Sequence, residues 1–473
     1  GRVLGRKNDP LNSLGLAALL LLVYNPLYLF SVSFQLSFAA TLGIILLYKR
    51  FCIFLSPLPH FVRDSLAVVI SAQLTVWPFA AYYFHKASLI SFFSNLVIVP
   101  AVSIILILGI VSGLIGLVFP TIGIIPLKIT GALLTAVESS AVFSSKLPFA
   151  VIAIPNLSPF IIMLYFMILG ALFNIIHLPF LSRRKMSTFA LIMLAALALF
   201  IIIPKNSGTE VTFVDVGQGD CIFISTKNGS TVLIDGGGVP SYYTGNYDVG
   251  SAVVEPFLFG RGAGCIDVMV FSHFDDDHAR GLLTVLKDMK VKTVIYGKPS
   301  DSAIYKEMME IVRRKNIKLI QAVRGDRFYV GNATFEVLNP PRERAFADEN
   351  DNSVVLKVTC ENIRFLFTGD LGFEGERQLV NSGLDIKAEV LKAGHHGSAS
   401  STSDEFLSKV NPAFAVISAG KDNAFGHPAP RVLDLFEEKG IRVFRTDLQG
   451  AVTFKIQKNN VKILTAIPGE IDE

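Results

Sequence analysis

The hexapeptide His273-Phe274-Asp275-Asp276-Asp277-His278 carries two imidazoles and three carboxylates in six positions. Donors at alternate positions, followed by a neighbour, allow one tight loop to feed two metal ions a few ångströms apart. His273 and Asp275 would serve one ion, and Asp277 and His278 the other. Three later motifs extend the set: Phe367-Thr368-Gly369-Asp370, Gly394-His395-His396-Gly397-Ser398 and Gly426-His427-Pro428. Asp370 is placed to bridge the ions with its carboxylate, and Gly369 lets the backbone come close. Either His395 or His396 completes one ion's shell, the other serving as a hydrogen-bonding neighbour. His427 either ligates the second ion or faces substrate. The mixed nitrogen and oxygen donors suit two divalent ions, Zn²⁺ or Mn²⁺, and the carboxylate share favours Mn²⁺. Such a centre performs hydrolysis: it activates water and neutralises charge on the group attacked.

Neighbouring polar residues read more plainly. Asp276 is expected to be solvated. Asp215 and Asp220, in Asp215-Val216-Gly217-Gln218-Gly219-Asp220, are equally well explained as turn-formers or as part of the site. Asp235, before three glycines, is expected to hold the histidine loop rather than to bind metal.

These motifs need a scaffold that brings distant segments together. Short apolar, β-branched runs at Val211–Val216, Cys221–Ser225, Thr231–Ile234 and Val268–Phe271 predict strands. So do Thr334–Leu338, Ser353–Cys360, Arg364–Phe367, Glu389–Ala393, Ala413–Ile417, Val443–Arg445 and Val452–Ile456. Gly281–Lys290, Ala303–Lys315 and Arg431–Lys439 predict helices. Strands alternating with helices imply a layered α/β domain with sheets inside. Asp235, His273, Asp370 and His395 each follow a strand, so strand ends would converge on one edge.

The N-terminal half has another character. Residues 1–205 hold 13 basic and three acidic residues (Asp9, Asp64 and Glu138), whereas 206–473 hold 30 basic and 36 acidic. Mean hydropathy is +0.51 over the 473 residues, too apolar for a soluble protein. Apolar runs at 14–48, 66–84, 88–118, 158–178 and 187–203 approach or exceed the roughly 20 residues that span a bilayer. The first is interrupted at Asn25-Pro26 and the third contains Pro100. The less apolar stretch 121–147 reads as amphipathic or as lining a polar cavity. The composition break at 204–208 gives two domains, 1–205 in the membrane and 206–473 outside it. Basic residues mark cytoplasmic loops at Arg2, Arg6 and Lys7, at Lys49, Arg50 and Arg63, and at Arg183-Arg184-Lys185. A final span at 187–203 would then deliver residues 206–473 to the extracytoplasmic side. The four cysteines lack paired spacing; Cys221, Cys265 and Cys360 read as buried free thiols.

The histidine and aspartate motifs resemble the metallo-β-lactamase superfold, an αββα sandwich with a dinuclear site. The chain departs from that pattern at Asp275, where the commoner HxHxDH motif has a second histidine. It also lacks a histidine between His278 and Asp370. A finer resemblance is to ComEC-type DNA-uptake channels, carried by DVGQGD at 215–220, Asn352–Leu356, TGD at 368–370, KAGHHGS at 392–398 and GHP at 426–428. In the N-terminal half, Asn25-Pro26-Leu27 and Phe34–Phe38 resemble that family's competence membrane domain. The chain opens on Gly1 without a signal-peptide pattern, and a fragment lacking the family's amino-terminal region is expected.

The resemblance implies a bacterial plasma-membrane protein that conducts one DNA strand inward. Its second domain would hydrolyse phosphodiester bonds of the other strand, with Asp277, Asp370 and His427 catalytic. DNA, membrane lipid and other DNA-uptake proteins are the implied partners. Lys392, Lys421, Arg431, Arg442 and Arg445 either meet phosphates or are ordinary surface charges. Two rivals stand beside this reading: a hydrolase of small esters, lactams or lactones, and a transport protein whose metal site is structural or vestigial.

Overall fold

A computed structural model describes residues 9–88, 90–147, 150–173, 175, 182–202, 208–239, 245, 247–343, 346–457 and 460–468. The basic cluster Arg2, Arg6, Lys7 and the composition break at 204–207 lie outside these residues. The chain folds as two units. One is Gly1–Ile203 with Phe259–Gly262; the other is Pro204–Leu258 with Ala263–Glu473.

In the first unit Asp9 accepts a hydrogen bond from Leu11 N and opens α1 (Pro10–Tyr24). Asn25 ends that helix and caps a 3₁₀ turn over Pro26–Phe30, so the interruption at Asn25-Pro26 is a helix boundary. The unit continues with α2 (Val32–Phe54), α3 (His60–Phe84), α4 (Ile90–Val118), α5 (Pro120–Ser145), α6 (Pro159–Leu172) and α7 (Arg183–Ile202). A two-residue ladder pairs β1 (Lys86–Ala87) with β2 (Ile152–Ala153). Among the described residues α2, α3, α4 and α5 are long and apolar enough to cross a membrane. This corrects the amphipathic reading of 121–147. Lys128 and Glu138 are the only ionisable residues in the 26-residue α5, too few to offset its aliphatic length. The expected final span at 187–203 is not among the four.

Helices in lipid gain little from hydrophobic association, so close backbone approach through small residues matters. Ala39 and Gly43 of α2 are buried, as are Ala67, Ser71 and Thr75 of α3. A Cβ at Gly43 would collide with Thr75 Oγ1 and lie 2.5 Å from the Ser71 carbonyl oxygen. Gly43→Ala is therefore expected to force the pair apart and cost about 1–3 kcal/mol, read as a lower thermal midpoint of the chain in detergent. Pro78 removes the N–H that Leu74 O would accept within α3. Tyr165 of α6 replaces it, its hydroxyl donating to Leu74 O at 2.8 Å.

The second unit is built on two sheets. The first contains β3 (Thr209–Phe213), β4 (Ile222–Ser225), β5 (Thr231–Ile234), β6 (Cys265–Phe271), β7 (Lys290–Tyr296) and β8 (Lys318–Gln321). The second contains β9 (Arg327–Val330), β10 (Ala333–Asn339), β11 (Val355–Cys360), β12 (Ile363–Phe367), β13 (Val390–Lys392), β14 (Phe414–Ile417) and β15 (Arg442–Arg445). The chain then returns to the first sheet as β16 (Val452–Gln457) and β17 (Asn460–Thr465), giving the orders 17-16-3-4-5-6-7-8 and 15-14-13-12-11-10-9. β5 to β8 pair in parallel, as do β12 to β15; the other pairs are antiparallel.

The inner faces meet in one core. Val211, Phe213, Ile224 and Val232 from one sheet pack with Phe335, Leu356, Phe365 and Phe367 from the other. Phe454 joins Phe213 and Phe365 at ring-centroid distances of 6.0 and 5.6 Å. The helices of this part of the chain are α8 (Glu255–Gly260), α9 (Asp276–Asp288), α10 (Ala303–Lys315), α11 (Phe373–Asn381), α12 (Asp404–Val410), α13 (Pro430–Glu438) and the short α14 (Thr446–Gln449), and α11 to α13 cover the outer face of the second sheet. Leu379, Phe406 and Phe436 from α11 to α13 pack on Leu366 and Leu391 of the second sheet. This is the αββα sandwich, and the parallel strands of both sheets end toward the same set of polar loops.

Candidate metal centre

Each loop that carries a donor leaves a strand at its carboxyl end. β5 delivers Asp235, β6 delivers Ser272 and His273, β12 delivers Asp370, and β13 delivers His395 and His396. The aspartates after His273 do not form the tight loop expected. Asp275 takes the N-cap position of α9, so Asp277 and His278 lie in its first turn. Acidic residues there face the positive end of the helix dipole, which is why a run that reads as loop folds as helix.

Asp235 orients two histidines at once. Its Oδ1 accepts from Ser272 N at 2.9 Å, and its Oδ2 accepts from Ser272 Oγ at 2.6 Å and from His278 Nδ1 at 2.9 Å. Ser272 has one hydroxyl proton, already given to Asp235, so at 3.0 Å it accepts from His273 Nδ1. His396 Nδ1 donates to Ser418 O at 2.9 Å. All three imidazoles are thus held by Nδ1 and leave Nε2 for the cleft, the arrangement that fixes metal-binding histidines. Asp235 holds the histidine loop as the sequence suggested.

Four donors converge on one space. His278 Nε2 lies 3.0 Å from Asp370 Oδ1 and 3.3 Å from His396 Nε2. His396 Nε2 lies 3.2 Å from Asp277 Oδ2 and 3.4 Å from Asp370 Oδ2. Asp370 is buried at the middle of the set. Gly369 before it has φ +54°, and a Cβ there would lie 2.9 Å from Ser353 Cβ. Ser353 Oγ accepts from Asp370 N and sits 3.5 Å from His273 Nδ1. Asn352 stays outside the cleft and braces its own loop through Phe346 and Asp348. His395 and His396 both adopt left-handed backbone, at φ +47° and +54°, an unfavourable conformation of the kind found at functional sites.

The remaining candidates form a looser margin. His273 Nε2 is buried with no hydrogen-bond partner among the described residues, and Asp275 Oδ2 approaches it at 3.7 Å. The Asp275 side chain is 48% exposed. His395 Nε2 stands 3.8 Å from Asp370 Oδ2. His427 makes ring contacts with His395 and His396, at 5.7 and 6.3 Å between centroids. Asp276 pairs with Arg280 at 2.5 Å.

Asp220 and Lys392 are the residues the sequence leaves undecided or misplaces. Asp220 is buried, and its Oδ2 lies 2.5 Å from Lys392 Nζ. It stands behind the imidazoles, 3.5 Å from His396 Nδ1 and 3.8 Å from His278 Nδ1. Asp220, His278, Asp370 and His396 are close enough to count as a metal-binding group. However, Asp220 is neutralised by a lysine and faces the committed Nδ1 atoms. Asp277 meets His396 on its Nε2 side, so Asp277, His278, Asp370 and His396 are the better set. Lys392 is fully buried and also donates to Gly369 O at 3.1 Å, so it cannot meet a phosphate. Arg431 donates to the Ser401 and Thr402 carbonyls, and Arg445 pairs with Asp447 at 2.6 Å. Lys421 remains exposed.

The donors fit a divalent cation. His273 Nε2 is a buried polar atom without a hydrogen bond among the described residues, a costly state unless something else meets it. Two imidazoles and two carboxylates supply the nitrogen and oxygen that Zn²⁺ or Mn²⁺ accepts.

Protons hold the cluster together when metal is absent. Burial opposes charge on His278, but Asp370 and Asp235 hold its pKa well above the usual imidazole value. Burial opposes charge on His396 too, and Asp370, Asp220 and Asp277 raise it well above that value. Burial works against the Asp370 carboxylate, which His278 and His396 nevertheless hold well below its usual range. Burial, then His396 and His395, lower His427, so its ring is neutral at pH 7.

A raised folded-state pKa contributes stability that is complete below about pH 6.5 and is lost as pH climbs through the raised value. The metal-free chain should therefore lose stability with rising pH above neutrality. Metal must displace these protons, so affinity moves the other way. It should gain up to about a hundredfold per pH unit while both histidines titrate. Calorimetry of Zn²⁺ binding in buffers of different ionisation enthalpy checks the proton count.

Comparisons with known proteins agree with the two-part architecture. Residues 1–179 match the family model described as Competence protein, and residues 214–421 match that of the Metallo-beta-lactamase superfamily. ComE operon protein 3 of Bacillus subtilis (strain 168) is 32% identical over 478 residues, covering 96% of this chain and 59% of that protein. Competence protein ComA of Neisseria gonorrhoeae is 34% identical over 261 residues, covering 55% of this chain and 34% of that protein. The chain thus spans less than two thirds of either relative's length. Among solved structures Igni18, a metallo hydrolase from Ignicoccus hospitalis, is 14% identical, covers 53% of this chain and 100% of its own, and has a TM-score of 0.36.

Proposed function

We propose that this chain, which joins a Competence-family segment to a metallo-beta-lactamase-superfamily domain, acts in DNA uptake and hydrolyses phosphodiester bonds at the Asp277, His278, Asp370 and His396 cluster. The observation that carries the reading is the convergence of those four donors in a domain attached to Competence-family helices. In this reading the membrane helices pass one DNA strand and residues 206–473 degrade the strand that is not transported. A divalent ion bound there would neutralise phosphate oxygens and activate water. The residues do the positioning: Asp235 and the Ser418 carbonyl aim the imidazoles, and Ser353 fixes Asp370. His427, neutral at pH 7, offers the leaving oxygen a hydrogen bond rather than a charged acid. His273, Asp275 and Asp370 would hold a second divalent ion, Mn²⁺ or Zn²⁺.

The purified chain in detergent should cut a single-stranded oligonucleotide with Mn²⁺ or Zn²⁺, and Asp277→Ala should stop it. No cutting by a folded, metal-loaded chain overturns the nuclease reading and favours a transport protein with a structural metal site. The basic residues at 49–50, 63 and 183–185 support a cytoplasmic position for their loops and an extracytoplasmic one for residues 206–473. Protection of that domain from protease added to intact cells would reverse the assignment.

A further inference from the structure

We propose that the exposed ring of Phe425 is a platform on which an unpaired nucleobase of the substrate strand stacks at the mouth of the metal centre. The proposal rests on the reading of the site as one that takes a nucleic-acid strand, and it names the part of that substrate the chain grips. Phe425 is 58% exposed, an unfavourable place for a phenylalanine that packs in no core. Its ring is not isolated. It stacks on His427 at 5.8 Å between centroids and 23° between planes, and His427 stacks on His396 at 6.3 Å and 29°. The three near-parallel rings step outward from the fully buried His396, through the half-buried His427, to the surface. The inner ring stands among the metal-binding donors, so the outer ring lies two ring spacings from them along a path that a bound strand would follow.

The loop is built to hold that ring in place. Asn423 commits its whole amide: Nδ2 donates to Gly420 O at 2.9 Å and to His427 O at 2.6 Å, while Oδ1 accepts from Phe425 N at 3.2 Å and His427 N at 3.0 Å. Gly420 N in turn donates to Gln218 Oε1 at 3.1 Å, tying the loop to the 215–220 segment. An aromatic ring exposed on a fixed loop loses little freedom when a partner stacks on it. Aromatic platforms beside a backbone path are how proteins grip single strands without reading their sequence, because every base has a π-face. Lys421, exposed on the same loop, supplies a cation for the strand's phosphates.

Binding separates the base from the backbone. Fluorescence anisotropy with the full chain in detergent and EDTA, where nothing is cut, compares a labelled single-stranded oligonucleotide with an abasic strand of equal length. The wild-type chain should bind the base-bearing strand more tightly by about fivefold or more. Phe425→Ala should erase that preference without weakening abasic binding, and Phe425→Trp should restore it. A wild-type chain with no preference, or a Phe425→Ala chain that keeps it, overturns the proposal. Failure of the nuclease reading shows separately, as absence of cutting by the metal-loaded wild-type chain.

Discussion

Asp370→Ala is expected to leave the chain unable to retain a divalent ion and to lower its hydrolytic rate by more than about 100-fold, since even residues that merely support a metal ligand cost 10–100-fold when removed. Among the described residues Asp370 is the one carboxylate within 4 Å of His278, His395 and His396 together. Its loss would open both the four-donor set and the margin around His273. Elemental analysis after gel filtration would read the metal, and an oligonucleotide assay the rate. Asp370→Asn separates charge from shape, because it keeps the volume and an oxygen but removes the negative charge that raises His278 and His396. If Asp370→Asn binds metal as well as the wild type, the ion sits elsewhere. The metal-free fold should tolerate either change better than the burial of Asp370 suggests. One of the two histidines can respond by shedding a proton, which offsets the single negative charge removed.

That contrast explains what the sequence discloses and what it does not. The ligands are legible because each follows an apolar, β-branched run, and such runs become parallel strands whose ends meet. Thr231–Ile234 and Ala303–Lys315 have the predicted bounds. The start of α9 is not legible, because Asp275-Asp276-Asp277 reads as a tight ligand-bearing loop until the helix dipole is considered. β8 and β17 are edge strands with few buried residues, and β9 also has an exposed, charged pattern, so their period is weak. The partnership of Asp220 with Lys392 leaves no local trace at all. One sits in a glycine-rich turn and the other at the end of β13. The approach of Gly219 to Asp277 helps to bring the turn over the cleft. A Cβ at Gly219 would collide with the Asp277 carbonyl oxygen, and Asp220 N donates to that same oxygen at 3.2 Å.

Lys392→Met is the substitution expected to damage the fold most. The ammonium has no solvent and no means of escape, and Asp220 behind the histidines depends on it. Burial pushes the Asp220 carboxyl up, but Lys392 and then His396 and His278 bring its pKa down to about 2. Removing one partner of a buried pair typically costs about 3–5 kcal/mol, because the other charge stays behind. Hydrogen exchange over 209–234 and 390–397 should accelerate accordingly. The pH dependence follows from the sign of the shift. A lowered folded-state pKa contributes stability above about pH 3.9 that is lost as pH falls through about 2. Without Lys392 the Asp220 pKa rises, so mild acid neutralises the stranded carboxylate. The gap between wild type and Lys392→Met should therefore narrow below about pH 5. Asp220→Asn with Lys392→Met removes both charges and should recover about 2 kcal/mol or more of the single-variant loss. If the double variant is as unstable as the sum of its parts, the pair is not what holds this side of the cleft.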